Sequence, residues 1–105
     1  MQVMWLKDAL NDLVIILEYG KCVFGERITR RFYETLLKNE RIISLNPYIG
    51  KQESLLVGCS RMHRSLLVHK NYKLIYFIEK DVVYIIALFD VRKLPSSLVE
   101  EIEGR

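Results

Sequence analysis

The chain has 105 residues, half of them hydrophobic and 28% charged, with a formal net charge of +3. That length suits one domain over residues 1–105 with one core, and the balance of apolar and charged residues excludes a disordered chain. The longest uninterrupted apolar run, the eight residues from Val82 to Phe89, is too short to cross a bilayer as a helix, so no membrane partner is expected. Met1 to Leu6 reads as a short strand. Asp8 and Asp12 follow closely, with no small-residue cleavage signal, so no secretion peptide is expected. A cytoplasmic setting, with Cys22 and Cys59 as reduced, solitary thiols, fits best.

Lys7 to Tyr19 predicts a helix, because Leu10, Leu13, Val14 and Leu17 recur at three- and four-residue steps. Gly20 is placed to close it, and Gly25 marks the turn before the next. Glu26 to about Ser44 predicts a longer second helix with Ile28, Phe32, Leu36 and Ile43 as its core stripe. Asn46-Pro47 stops that helix and Gly50 closes the turn, which makes a helical hairpin. After Met62 the period changes. Met62 to His69, Tyr72 to Glu79 and Val82 to Asp90 are rich in Val, Ile, Tyr and Phe and predict three antiparallel strands. Lys70-Asn71 and Lys80-Asp81 are the turn candidates, and Ser96 to Ile102 a possible short helix with Ser96 as its N-cap. The expected fold is therefore α+β: a helical hairpin on one face of a four-stranded, mainly antiparallel sheet.

Two features of this pattern bear on function. Alternation puts Tyr72, Leu74, Tyr76 and Ile78 on one face of their strand and Lys73, Ile75 and Phe77 on the other. Two helices cover one face of a sheet, so Ile75 and Phe77 are expected to face a protein partner. The charge is also uneven. Ser54 to Ile78 holds no acid but contains Arg61, Arg64, Lys70 and Lys73, with His63 and His69. Such a field suits an anionic partner, either nucleic acid or an acidic protein segment.

Several words of the sequence carry a family resemblance. Trp5-Leu6-Lys7-Asp8-Ala9-Leu10 is an aromatic-ended strand running into an Ala/Asp-Leu helix, and Phe24-Gly25-Glu26 with Phe32 opens the second helix. Asn46-Pro47 with Gly50 ends it. Arg64 to Val68, then Asn71-Tyr72-Lys73-Leu74-Ile75-Tyr76, form a basic strand followed by a Tyr-Lys-Leu-Ile-Tyr strand, and Phe89 to Arg92 close the last one. In this order and spacing, residues 2 to 98 resemble the RelE/ParE toxins, a superfamily that includes plasmid stabilisation proteins.

The resemblance implies a bacterial toxin neutralised by a cognate antitoxin. RelE-like members cleave mRNA on the ribosome and ParE-like members inhibit DNA gyrase. The ribonuclease route implies no metal or cofactor: basic side chains hold the scissile phosphate while the RNA 2′-OH attacks. It would assign that role to Arg64, Lys73 and Arg92, close together on the sheet away from the hairpin. Arg61, Lys70 and Lys93 would add phosphate contacts. The antitoxin would cover Ile75 and Phe77, with its acids near Arg64 and Lys73. The chain departs from the ribonuclease pattern in three ways: it has no Tyr after Tyr84, it has Leu66 at a second basic position, and it has Lys73 where an arginine's bidentate fork is usual. Glu53, His63 and His69 are the remaining proton-moving candidates. A ParE-like toxin that acts by binding, and a degenerate member that keeps only its antitoxin contact, therefore stand beside the ribonuclease reading.

Overall fold

β-branched and aromatic residues crowd the chain after Arg64, and there the pleated surface accommodates them. β3 (Arg64–His69), β4 (Tyr72–Glu79) and β5 (Val82–Asp90) form the expected antiparallel meander in a computed structural model that describes residues 1–105. Lys80 and Asp81 turn β4 into β5 with φ of 49° and 64°, left-handed values that match the twist of a hairpin. Two further strands complete the sheet. β1 (Gln2–Trp5) runs parallel to β5, with Gln2 opposite Val82, and β2 (Lys51–Gln52) pairs with the start of β3. The sheet order is β1-β5-β4-β3-β2. The fifth strand exceeds the expected four because Lys51-Gln52 is too short and polar to show a period of two.

α1 (Lys7–Phe24) and α2 (Glu26–Leu45) form the hairpin. α1 runs straight through Gly20 instead of stopping there. A Cβ at Gly20 would meet the Thr29 hydroxyl at 2.8 Å, so the glycine serves helix packing and not termination. The stop falls at Gly25, whose φ of 87° suits a residue without Cβ and whose amide bonds back to the Gly20 carbonyl at 3.1 Å. The stripe of α2 is also turned by one residue at its start. Thr29 is buried with Leu36 and Ile43, and Ile28 stands half exposed.

The hairpin covers one face of the sheet. Ala9, Leu36 and Ile43 pack there with Leu74, Tyr76, Val83 and Ile85. The opposite face is covered too, and this corrects the expectation for Ile75 and Phe77. Ile75 is fully buried and Phe77 is 5% exposed, beneath α3 (Pro95–Glu103) and the 3-10 turn Ser54–Leu56. The C-terminal segment is a complete amphipathic helix that sends Leu98 and Ile102 into this second core, and Leu56 adds to it. Its first residue is Pro95 and its N-cap Leu94, not Ser96, since proline's fixed φ suits the first helical position. A bulge in β5, where Ile75 faces Ala87 and Tyr76 faces Ile85, turns both Ile86 and Ala87 toward α3. Arg105 fastens this layer to the other: its guanidinium holds the Asp12 carboxylate of α1 at 2.7 and 2.8 Å and the Ile86 carbonyl at 2.8 Å. No helix is long and apolar enough to cross a membrane.

Candidate functional site

Cross-strand pairing decides which face each basic residue occupies. Arg64 lies opposite Tyr76, and Lys73 lies opposite Leu67. Tyr76 belongs to the core under the hairpin, so Arg64 leaves the sheet on that side. Lys73 shares its face with Ile75 and leaves on the α3 side. The two residues therefore diverge across the sheet. Arg64 donates to the Gly50 carbonyl at 2.8 Å and stacks over Tyr48, its guanidinium carbon 5.0 Å from the ring centre. Lys73 forms an ion pair with Glu53. The Glu53 side chain is only 5% exposed. Burial pushes this carboxyl's pKa up, but the hydrogen bond from Lys73, the Leu55 amide and Ser65 outweigh it, and the net shift is downward. Glu53 is thus a closed ion-pair partner and not a free base.

Arg92 lies elsewhere again. It grips Asp90 in a bidentate pair, with both bonds at 2.9 Å, and reaches the Tyr72 hydroxyl at 3.4 Å. The side-chain hydrogen bond from Arg92 holds the Asp90 carboxyl below its usual range. Tyr72 and Tyr76, which mark the positions of Arg92 and Arg64, are four residues apart on β4, about 13 Å at strand spacing. The structure does not bring Arg64, Lys73 and Arg92 together. Of the supporting cations, Arg61 pairs with Glu79 at 3.3 Å over the Phe77 ring, and Lys93 pairs with Glu101 at 3.0 Å. Both are on the α3 side, where Lys73 also lies. His63 is buried with its Nδ1 lacking a hydrogen-bond partner, and burial lowers its pKa.

What the structure does assemble is a cleft at the turn end of the hairpin. The end of α1, the start of α2 and the β3–β4 turn enclose about 270 Å³ between Tyr19, Phe24, Phe32 and Tyr72, with Lys70 and Arg92 among the lining residues. Phe32 meets the edges of His69 and Tyr72 at 5.6 and 5.4 Å, and Tyr19 meets Phe24 at 6.2 Å. Tyr19 and Phe24 are half exposed. Lys70 makes no ion pair. His69 accepts from the Asn71 amide at 3.1 Å, and burial, with Lys70 and Arg92 nearby, lowers its pKa. The sequence signal for this cleft was faint. Its aromatic residues stand at the ends of separate elements, where periodicity assigns no face.

The family model for the ParE toxin of the type II toxin-antitoxin system, parDE, matches residues 3–95. No curated protein sequence matches this chain. Among solved structures, the fold is similar to a chain of the chromosomal ParDE TA system from P. aeruginosa, with a TM-score of 0.72 and 13% identity, covering 87% of this chain and 96% of that one. It is also similar to the YoeB dimer from Staphylococcus aureus, with a TM-score of 0.57 and 15% identity, covering 84% of this chain and 93% of that one. At these identities the two likenesses speak for the fold.

Proposed function

The chain belongs to the ParE family of toxins of type II toxin-antitoxin systems, and from that premise we propose that it arrests growth by binding DNA gyrase, held inactive until then by a cognate antitoxin. The observation that carries this reading is the divergence of Arg64 and Lys73 onto opposite faces of the sheet. Phosphodiester cleavage needs cationic donors converging within hydrogen-bond reach of one set of phosphate oxygens. Here Lys73 is closed by Glu53, Arg92 by Asp90, and Arg64 is committed to Gly50. Two of the proton-moving candidates are withdrawn from the surface, since His63 and Glu53 are buried. Glu53 is locked in its ion pair, and no tyrosine follows Tyr84.

The test uses purified toxin in two parallel reactions, gyrase supercoiling of relaxed plasmid and translation of a reporter mRNA. Loss of supercoiling with translation intact is the expected result. Cleavage of the reporter mRNA on translating ribosomes, with gyrase unaffected, overturns the proposal and restores the RelE-like route.

A further inference from the structure

We infer that the Arg105–Asp12 ion pair is a guard over an unpaired strand edge, and that the partner it keeps out is a second copy of this chain.

The edge is the second half of β5. β1 pairs with β5 only from Val82 to Ile85, and the Leu6 amide then takes the Ile85 carbonyl as the chain turns into α1. No strand flanks Ile86 to Asp90 on that side. On the other side Leu88 and Asp90 lie opposite Leu74 and Tyr72 of β4. The Val91 amide bonds to the Asn71 carbonyl. By the alternation of an antiparallel ladder, Leu88 and Asp90 therefore turn their own amides and carbonyls away from β4, toward the missing neighbour. Four of these five residues are apolar, and a bare edge of that kind is a template for another strand.

Two side chains stand where that neighbour's backbone would lie. Asp12 reaches the edge from the hairpin layer and accepts from the Leu88 amide at 3.1 Å. Arg105, just past α3, reaches it from the opposite layer and donates to the Ile86 carbonyl at 2.8 Å. The two then meet each other at 2.7 and 2.8 Å. A donor and an acceptor two residues apart are what an adjoining strand satisfies, and here an ion pair satisfies them. Its side chains are 14% and 19% exposed, whereas those of the Arg61–Glu79 pair are 54% and 48% exposed. The geometry is bidentate and withdrawn from water, unlike a loose surface contact.

With the pair removed, the strand that matches the gap is β5 itself. Two copies of Ile86 to Asp90, antiparallel about a two-fold axis at Leu88, set Leu88 against Leu88 and Ile86 against Asp90. Each Leu88 amide then meets the other copy's Leu88 carbonyl. Five residues fill a five-residue gap. β1 occupies the lane before Ile86, and the chain turns away at Val91, which fixes the register. The one charge in the segment, Asp90, is closed by Arg92, so two copies meet without repulsion. A groove of about 500 Å³ beside this edge, lined by Ile15, Ile16 and Leu88, leaves room for the approach, and Ile15 is exposed in it.

The experiment measures the mass of the purified full chain by light scattering over a dilution series. Wild type is expected at 12.4 kDa throughout. Arg105→Ala and Asp12→Ala should each move reversibly to twice that mass as concentration rises. Hydrogen exchange at the Leu88 amide locates the contact. In concentrated Asp12→Ala it should run on the order of ten-fold slower than in the dilute sample, because a second copy's carbonyl replaces the lost carboxylate. Leu98→Ala, which loosens α3 in the second core but keeps the ion pair, should remain a single chain. Variants that stay single at every concentration overturn the inference. So does a wild-type chain that already dimerises, or a variant dimer whose Leu88 exchange ignores concentration, since the copies would then meet elsewhere. Equal association by Leu98→Ala would assign the effect to exposed core. Outright unfolding of Arg105→Ala and Asp12→Ala also counts against the inference, because the pair would then hold the fold and not guard its edge.

Discussion

The Gly50 amide donates to the Tyr76 hydroxyl at 2.9 Å, and that hydroxyl donates onward to the Pro47 carbonyl at 2.8 Å. This pair ties the loop after α2 to the middle of the sheet. Tyr76 is fully buried, and burial raises the pKa of its phenol, so it remains a neutral donor. A Cβ at position 50 would lie 2.5 Å from the hydroxyl oxygen and 2.8 Å from the Ser65 carbonyl. Gly50→Ala is therefore expected to lower stability by about 1–3 kcal/mol through overpacking. Tyr76→Phe should cost about 1–3 kcal/mol by leaving the Gly50 amide and Pro47 carbonyl unsatisfied. Urea denaturation reads both, and an unchanged midpoint for Gly50→Ala would contradict the close approach.

Phe77 supplies a second prediction, since it lies inside the α3-side core. Phe77→Ala should cost about 3–5 kcal/mol, as expected for a large core truncation. Were Phe77 a surface contact, the variant would unfold at nearly the wild-type urea concentration.

Lys73 and Glu53 should behave as a structural unit. Removing either partner leaves a largely buried charge uncompensated, a change that costs up to about 3–5 kcal/mol. Lys73→Met and Glu53→Gln are thus both expected to destabilise the fold, and a double-mutant cycle should show strong coupling. Independent, additive effects would mean that the ion pair holds nothing. If Lys73 instead served a phosphate, Glu53→Gln would release it and raise toxicity.

Stability should fall in mild acid. His63 and His69 have pKa values lowered by burial from the ordinary imidazole value of about 6.5. Below that value the unfolded chain binds protons that the native chain resists, so stability is full above it and drains away until the lower native values are passed. Glu53, shifted downward, adds a further loss at more acidic pH, below the ordinary carboxylate value of about 4.3. The urea midpoint should therefore drop between about pH 7 and pH 5. His63→Leu should flatten that drop, leaving the share of His69. An identical slope in the variant would show that His63 titrates freely in the native state.

Much of the fold was legible because its elements are strongly periodic. Leu36 and Ile43 declared the core side of α2, and alternation from Tyr72 to Glu79 separated the two faces of β4 correctly. The inference from those faces went astray at α3, a nine-residue helix without a side-chain cap. Its amphipathic character is clear only once Leu98 and Ile102 are seen to share a face, and without it Ile75 and Phe77 read as unclaimed surface. The expected clustering of the cations is absent for a related reason. Arg64 and Lys73 look clustered along the chain, but which face each takes depends on the register between β3 and β4, set by a turn with no glycine to announce it. The cleft at Tyr19 and Phe24 depended on α1 continuing through Gly20, which composition argues against.

The parallel pairing of β1 with β5 has a consequence for how the chain is made. Gln2 meets Val82, and Trp5 meets Ile85, so the first strand synthesised has its only sheet neighbour in one of the last. Contacts of such long sequence separation carry a high loop-closure cost and slow the folding of the elements that need them. During synthesis β1 must wait beside a finished hairpin until residue 85 and its neighbours have emerged, and the sheet closes late. Nascent toxin is thus unassembled for most of its own translation, an interval in which the cell that makes it is not exposed to the finished surface.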